Sequence, residues 1–241
     1  MTQFNSINAI ILDIEGTVAP ISFVKETLFP YFLKEIPSIL SKLQYPISSE
    51  TSNVIEQIVS NFPKDITNSN ESLLNHIKSL VNKDIKDSTL KSLQGFIWEK
   101  GYENGDIKAP VYDDAIKSIK NWSESKKVYI YSSGSVKAQK LLFKYVEFQN
   151  GVIDLNEYLS DYFDITTSGY KFEKSSYENI IQDIKQSSGN VLFLSDNVSE
   201  VSAAKEAGLK SLIVFRNGNG EVSKEDQDKY GLIKSFDELS V

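Results

Sequence analysis

Residues 9–20 read AIILDIEGTVAP: four apolar residues run straight into two carboxylates, Asp13 and Glu15, followed at once by Gly16 and Thr17. A short apolar run bounded by polar residues predicts a buried strand, and the polar, glycine-containing residues after it predict a loop at the strand's carboxyl end. Two further segments have the same form, KVYIYSS (127–133) and NVLFLSD (190–196). A fourth, SLIVF (211–215), comes after NVSEVSAAKEAGL (197–209), whose spacing and closing Gly208 predict a helix ended by a left-handed cap. The shorter YFDITTSG (162–169) offers another strand.

Helical patterns over 112–126, 136–146 and 175–186 alternate with these strands. Strand–helix–strand alternation implies an α/β fold, a doubly wound parallel sheet. Residues 20–109 exceed what one crossover needs, so they are expected to form an inserted helical cap domain, leaving 1–19 plus 110–241 as the α/β core. Four helices are expected in the insertion, from SFVKETLFPYFLKEI (22–36), residues 50–61, NESLLNHIKSLVNKD (70–84) and STLKSLQGFIWEKGYE (88–103). The segment RNGNGEVSKEDQDKYG (216–231) reads as a solvated loop, without the strand–turn–helix setting of a dinucleotide fingerprint.

Composition narrows the chemistry. There is no cysteine, which excludes disulfides, thiolate metal sites and cysteine nucleophiles, and one histidine, His76, which excludes a multi-histidine centre. His76 lies in a predicted cap helix and reads as a packed ring. A formal net charge of −7 argues against a nucleic-acid or anionic-membrane partner, and no apolar run approaches the ~20 residues needed to span a bilayer. The expected location is the cytoplasm, with the nucleus as a second place.

Ligands of open parallel sheets bind beyond the carboxyl ends of the strands. The residues there are Asp13 and Glu15, Ser132 and Ser133, and Asp196. This all-oxygen set suits a hard cation such as Mg²⁺, and Lys171, between TTSGY (166–170) and a predicted helix, would complete a phosphate site. The DIEGT pattern alone leaves other readings open. Carboxylates two apart in an extended chain, ~6.5 Å from each other, also serve glycoside hydrolysis, cap helices or line solvated loops.

Taken in order, LDIEGT (12–17), YIYSSGS (129–135), Lys171 and FLSDN (193–197) resemble the four motifs of haloacid dehalogenase superfamily phosphatases. More narrowly, LDIEGTVAPISFVKETLFPYF (12–32), IKAPVYDDA (107–115) and IYSSGSVKAQKLLF (130–143) resemble the enolase-phosphatases of methionine salvage. The resemblance implies a Mg²⁺-dependent enzyme in which Asp13 attacks phosphorus, Glu15 handles protons, and Asp13, Glu15 and Asp196 hold the metal. Ser132, Ser133 and Lys171 would bind substrate. That substrate would be a small phosphorylated diketone, 2,3-diketo-5-methylthiopentyl-1-phosphate, enolised and then dephosphorylated to the acireductone by a monomer. Other classes compatible with parts of the pattern are a different capped phosphatase, a receiver-type phospho-acceptor and a metal-free dehalogenase. The cap insertion and the acid at position 15 weigh against the receiver. The dehalogenase would leave Glu15 and Asp196 without a purpose. Thr17 is expected to bond back within its own loop, and hinges are expected near Pro20 and residues 105–110.

Overall fold

In the computed structural model, which describes residues 2–4 and 6–241, the chain forms two compact units. One comprises the chain up to Phe23 together with Lys108–Val241; the other is Val24–Ile107. The junctions thus fall at 23/24 and 107/108, against expected boundaries of 19/20 and 109/110.

The larger unit is built on six parallel strands: β1 (Ala9–Leu12), β2 (Lys127–Tyr131), β3 (Asp161–Phe163), β4 (Val191–Ser195), β5 (Lys210–Val214) and β6 (Leu232–Ile233), in the spatial order β3-β2-β1-β4-β5-β6. Every residue of β1 is fully buried, because helices cover both faces of a parallel sheet and leave no solvated side to alternate towards. At ~1.5–3 kcal/mol for each large side chain removed from water, Ile10, Ile11 and Leu12 make this strand a strong anchor. Leu12 pairs with Ile130 on one side and Leu194 on the other, so β1 is the point from which crossovers run in opposite directions. A crevice at such a reversal is where ligands of these sheets sit.

Helices Asp113–Ser123, Val136–Lys144, Lys174–Ile184 and Val198–Glu206 lie near the expected positions, and Gly208 ends the last of them at φ +88°. One core cluster packs Ile11, Tyr131, Tyr177 and Phe193. The segment read as a solvated loop contains a helix, Lys224–Tyr230. It forms because the Ser223 hydroxyl accepts the Asp226 N–H, while Tyr230 packs with Val201 and Ile213. A single buried aromatic and a cap outweigh the polar composition that masked the helix.

The smaller unit holds four α-helices, Phe29–Leu40, Val54–Val59, Asn70–Asn82 and Ser88–Glu103, around a core including Phe32, Ile36, Leu73, Ile77 and Leu93. The second is shorter than the expected 50–61, because Asn53 caps it by accepting from the Ile55 and Glu56 amides. A π-helical turn, Val24–Leu28, leads into the first, whose opening turn takes Pro30 where no intrahelical N–H is needed. His76 packs edge-on against Phe62, with ring centroids 5.0 Å apart. No helix among the described residues is long and apolar enough to cross a membrane.

Candidate active site

Asp13 directly succeeds the last residue of β1 and is 5% exposed. Its Oδ1 accepts the Ile14 N–H at 2.8 Å and the Lys171 ammonium at 2.5 Å; Oδ2 lies 3.3 Å from the Ser195 hydroxyl. Lys171 also reaches Glu200 Oε2 at 2.7 Å, so one buried cation bridges the buried Asp13 carboxylate and the partly buried one of Glu200. Burial alone would lower the Lys171 pKa, but the charges of Asp13 and Glu200, with the hydrogen bonds they accept, outweigh it and the net shift is upward. Two tyrosines of the core hold the lysine's loop: the Tyr131 hydroxyl donates to the Gly169 carbonyl and the Tyr177 hydroxyl to the Lys171 carbonyl, each at 2.7 Å.

Sequence reasoning does not single out Glu200, and the reason is local. It stands three positions after Asn197, the spacing of a capping box, which usually marks nothing beyond a helix start. Here Asn197 directs its own N–H to Ser195 Oγ, and that hydroxyl donates to Glu200 at 2.7 Å. Ser195, fully buried at the end of β4, therefore ties the helix start to the lysine's second partner.

Asp196 sits beside this cluster. Burial first, then the charges of Asp13 and Glu200, push its carboxyl up from 3.8 to about 7, with Lys171 only partly opposing them. Glu200 is raised for the same reasons, burial and then Asp13. Two carboxylates thus share one ammonium with a third acid beside them, an excess of negative charge that a cation would relieve. Among the described residues no three His, Cys, Asp or Glu side chains gather into a ready-made metal cluster. Asp13, Glu15 and Asp196 accordingly do not form a three-carboxylate cage. Two neighbouring carboxylates plus main-chain carbonyls nevertheless fit Mg²⁺, which keeps several waters and seldom takes an all-protein shell.

That turn is tightly determined. The Ile14 carbonyl accepts the N–H groups of Thr17, Val18 and Ala19 at 3.2, 3.0 and 3.0 Å, and the Gly16 N–H donates to the Ala19 carbonyl at 2.8 Å. Gly16 has φ +72°, and a Cβ added there would collide with the Asp196 carboxylate. Gly16→Ala is therefore expected to lose at least ~1–2 kcal/mol of stability from backbone conformation alone, with the collision added, read as a lower thermal midpoint. The Thr17 hydroxyl does not bond within its own loop as expected. It accepts the Asp196 N–H at 3.0 Å, joining the turn after β1 to the turn after β4. Glu15 is half-buried at the start of the turn.

Ser132 and Ser133 part company. Ser132 is 4% exposed, one residue beyond the level of Asp13 on the adjacent strand, whereas Ser133 is exposed. Gln139, also missed in the sequence, donates from Nε2 to the Gly134 and Phe163 carbonyls at 2.8 and 2.9 Å and so fixes the serine turn. Asp164 serves the backbone, its Oδ2 accepting the Val136 N–H where the next helix begins.

Similarity to other proteins agrees with this arrangement. A family described as haloacid dehalogenase-like hydrolase matches residues 7–208. A protein of Debaryomyces hansenii named Enolase-phosphatase E1 is 55% identical over 240 residues, covering 98% of this chain and 97% of that one. A Candida tropicalis protein of the same name is 54% identical over 241 residues, covering 98% of this chain and all of its own. The crystal structure of the UTR4 protein of Saccharomyces cerevisiae is 49% identical with a TM-score of 0.85, covering 95% of this chain and 98% of that one. The chain belongs to the haloacid dehalogenase-like hydrolases and, within them, to the enolase-phosphatase family.

Proposed function

We propose that the protein enolises 2,3-diketo-5-methylthiopentyl-1-phosphate and then hydrolyses the enol phosphate to the acireductone and inorganic phosphate, with Mg²⁺ as cofactor. The observation that carries this reading is the Lys171 ammonium seated between Asp13 and Glu200. A buried cation there binds phosphate oxygens while holding the nucleophile in place. Asp13 Oδ1 is engaged by two N–H donors, so Oδ2 has the freer lone pairs for attack on phosphorus. The new Asp13 O–P bond forms as the ester P–O bond breaks, and Glu15 protonates the departing oxygen. Water then attacks phosphorus of the aspartyl phosphate, giving its proton to Glu15 and restoring the Asp13 carboxylate. Lys171 and the Ser132 hydroxyl bind the other phosphate oxygens, with Ser133 at the rim of the same turn.

Asp13, Asp196 and the Glu15 main-chain carbonyl would hold Mg²⁺. When bound, the ion offsets the repulsion between carboxylate and phosphate. Enolisation requires removal of a proton from the carbon bearing phosphate, and Glu15, the same group that carries protons during phosphate release, serves as that base.

Enol absorbance and released phosphate, measured separately on the diketo phosphate with a panel of other phosphate esters beside it, test this reading. Both signals are expected with wild type, both lost on chelation and recovered with Mg²⁺, and both depressed in Glu15→Gln. Turnover indifferent to EDTA and to added Mg²⁺ would remove the metal from the scheme. Faster release from another ester would reassign the substrate, and full activity of Glu15→Gln would take that residue out of proton transfer.

The raised Asp196 carboxyl gives a second check. Its folded value of about 7 lies above its ordinary 3.8, so the folded state holds this proton more tightly than the unfolded chain. The resulting stability is complete below about pH 4 and is lost as pH rises through 7. Glu200, raised in the same direction, adds to the slope. Asp114 and Asp164 are held below the usual carboxylate range and act only at more acid pH. In EDTA the thermal midpoint is expected to fall from pH 5 to pH 8, and millimolar Mg²⁺ to restore more at pH 8 than at pH 5. Equal midpoints at both pH values, with no Mg²⁺ effect, would contradict the charge cluster.

A further inference from the structure

Two side chains from the loop after β5, both outside the charge cluster around Lys171, reach back to the turn that carries Glu15. Asn219 donates from Nδ2 to the Gly16 carbonyl at 2.8 Å and to the Val214 carbonyl at 3.4 Å. Arg216 donates from Nε to the Thr17 carbonyl at 3.0 Å. The two carbonyls that directly succeed Glu15 are therefore each held by a side chain two hundred positions away in sequence, give or take a few.

The far side of Arg216 is equally fixed. Its Nη1 donates to Asp114 at 2.8 Å and to the Lys234 carbonyl at 3.1 Å, and its guanidinium carbon lies 4.6 Å from the Tyr112 ring centroid and 4.9 Å from that of Phe236. Asp114 in turn accepts the Phe236 N–H at 2.7 Å and the Ser235 hydroxyl at 3.0 Å. A guanidinium placed only to stabilise the fold would be expected to satisfy all its donors, because an unmade hydrogen bond in the interior is costly. Nη2 of Arg216 is instead buried with no hydrogen-bond partner among the described residues. The orientation that reaches Thr17 is kept at that cost.

We propose that Arg216 and Asn219 are positioning residues. By gripping the carbonyls of Thr17 and Gly16 they fix the direction in which Glu15 leaves the turn and, through the Thr17 hydroxyl and the Asp196 N–H, the station of Asp196. Gly16 makes this grip necessary. A left-handed glycine has other backbone conformations open to it, and each would swing the residue before it. Misplacing a reacting group by ~1 Å can cost ~100-fold in rate, so partial release of the turn acts on turnover more than on substrate affinity.

The proposal rests on the reading of Glu15 and Asp196 as parts of a phosphatase site, and its test separates the two. Asn219→Ala and the isosteric Asn219→Asp, which lacks the N–H donor, are expected to lower kcat for phosphate release roughly tenfold or more with KM within about twofold. Asn219→Gln, which keeps the amide donor, is expected to recover most of kcat. Arg216→Lys, which keeps a cation beside Asp114 but not the fork to Thr17, should show the same loss in kcat at little change in KM. Hydrogen exchange at the amides of 16–19 is read in parallel and is expected to quicken in Asn219→Ala and Arg216→Lys while the sheet amides stay protected. Wild-type kcat in both variants, or exchange at 16–19 unchanged in both, would overturn the proposal. So would a kcat loss that tracks a fall in thermal midpoint and that Asn219→Gln does not rescue. A wild-type protein inert towards every phosphate ester would sink the phosphatase reading, while the exchange measurement would still decide the grip.

Discussion

Asp13→Asn is expected to fold and to release phosphate at least ~10⁴-fold more slowly than wild type, because an amide cannot form the covalent intermediate on which hydrolysis depends. Asparagine keeps the shape of the side chain and can still accept from the Ile14 amide and Lys171, so the strand end should hold. Enolisation does not need a nucleophile at this position and should fall less, leaving enol phosphate to accumulate. Enol absorbance measured beside released phosphate reads the difference directly. Phosphate release near the wild-type rate would show that some other residue attacks.

Lys171→Met should damage both stability and turnover. Removing the ammonium leaves the buried Asp13 and the partly buried Glu200 without their shared cation, and breaking a buried pair from one side costs about 3–5 kcal/mol. Turnover should fall at least ~100-fold, since a phosphate group would meet carboxylates with no fixed positive charge among them. A second variant separates these effects. Lys171→Met combined with Glu200→Gln removes one stranded charge and should regain part of the lost stability in denaturant unfolding, yet none of the activity. If the double variant is no more stable than the single one, the cost does not come from uncompensated charge.

Much of the fold is legible in the sequence because buried parallel strands are written as short apolar runs with nothing polar to interrupt them. The residues just past those runs, Asp13, Ser132 and Asp196, then declare themselves by position. Lys171 is legible only through its place between a strand and a helix and through the resemblance. Pairing across loops stays hidden. Nothing adjacent to Thr17 says that its hydroxyl accepts from Asp196, and Glu200 is disguised by a spacing that ordinarily caps a helix. Ser132 and Ser133 are chemically identical and adjacent; only the packed geometry decides that the first is buried and the second exposed. The helix Lys224–Tyr230 escapes notice because its sequence is almost wholly polar and its one anchoring aromatic, Tyr230, comes at the end.

The contact between Lys171 and Asp13 joins residues 158 positions apart, and that between Ser195 and Asp13 joins residues 182 apart. Closing loops of that size costs entropy that the pairs alone do not repay, so they depend on the sheet that spans them. Without it each carboxylate is hydrated and far from its neighbours, and the electrostatic conflict of the finished site does not exist. The conflict is thus a property of the assembled sheet alone, present only where the ends of β1 and β4 and the loop after β3 meet.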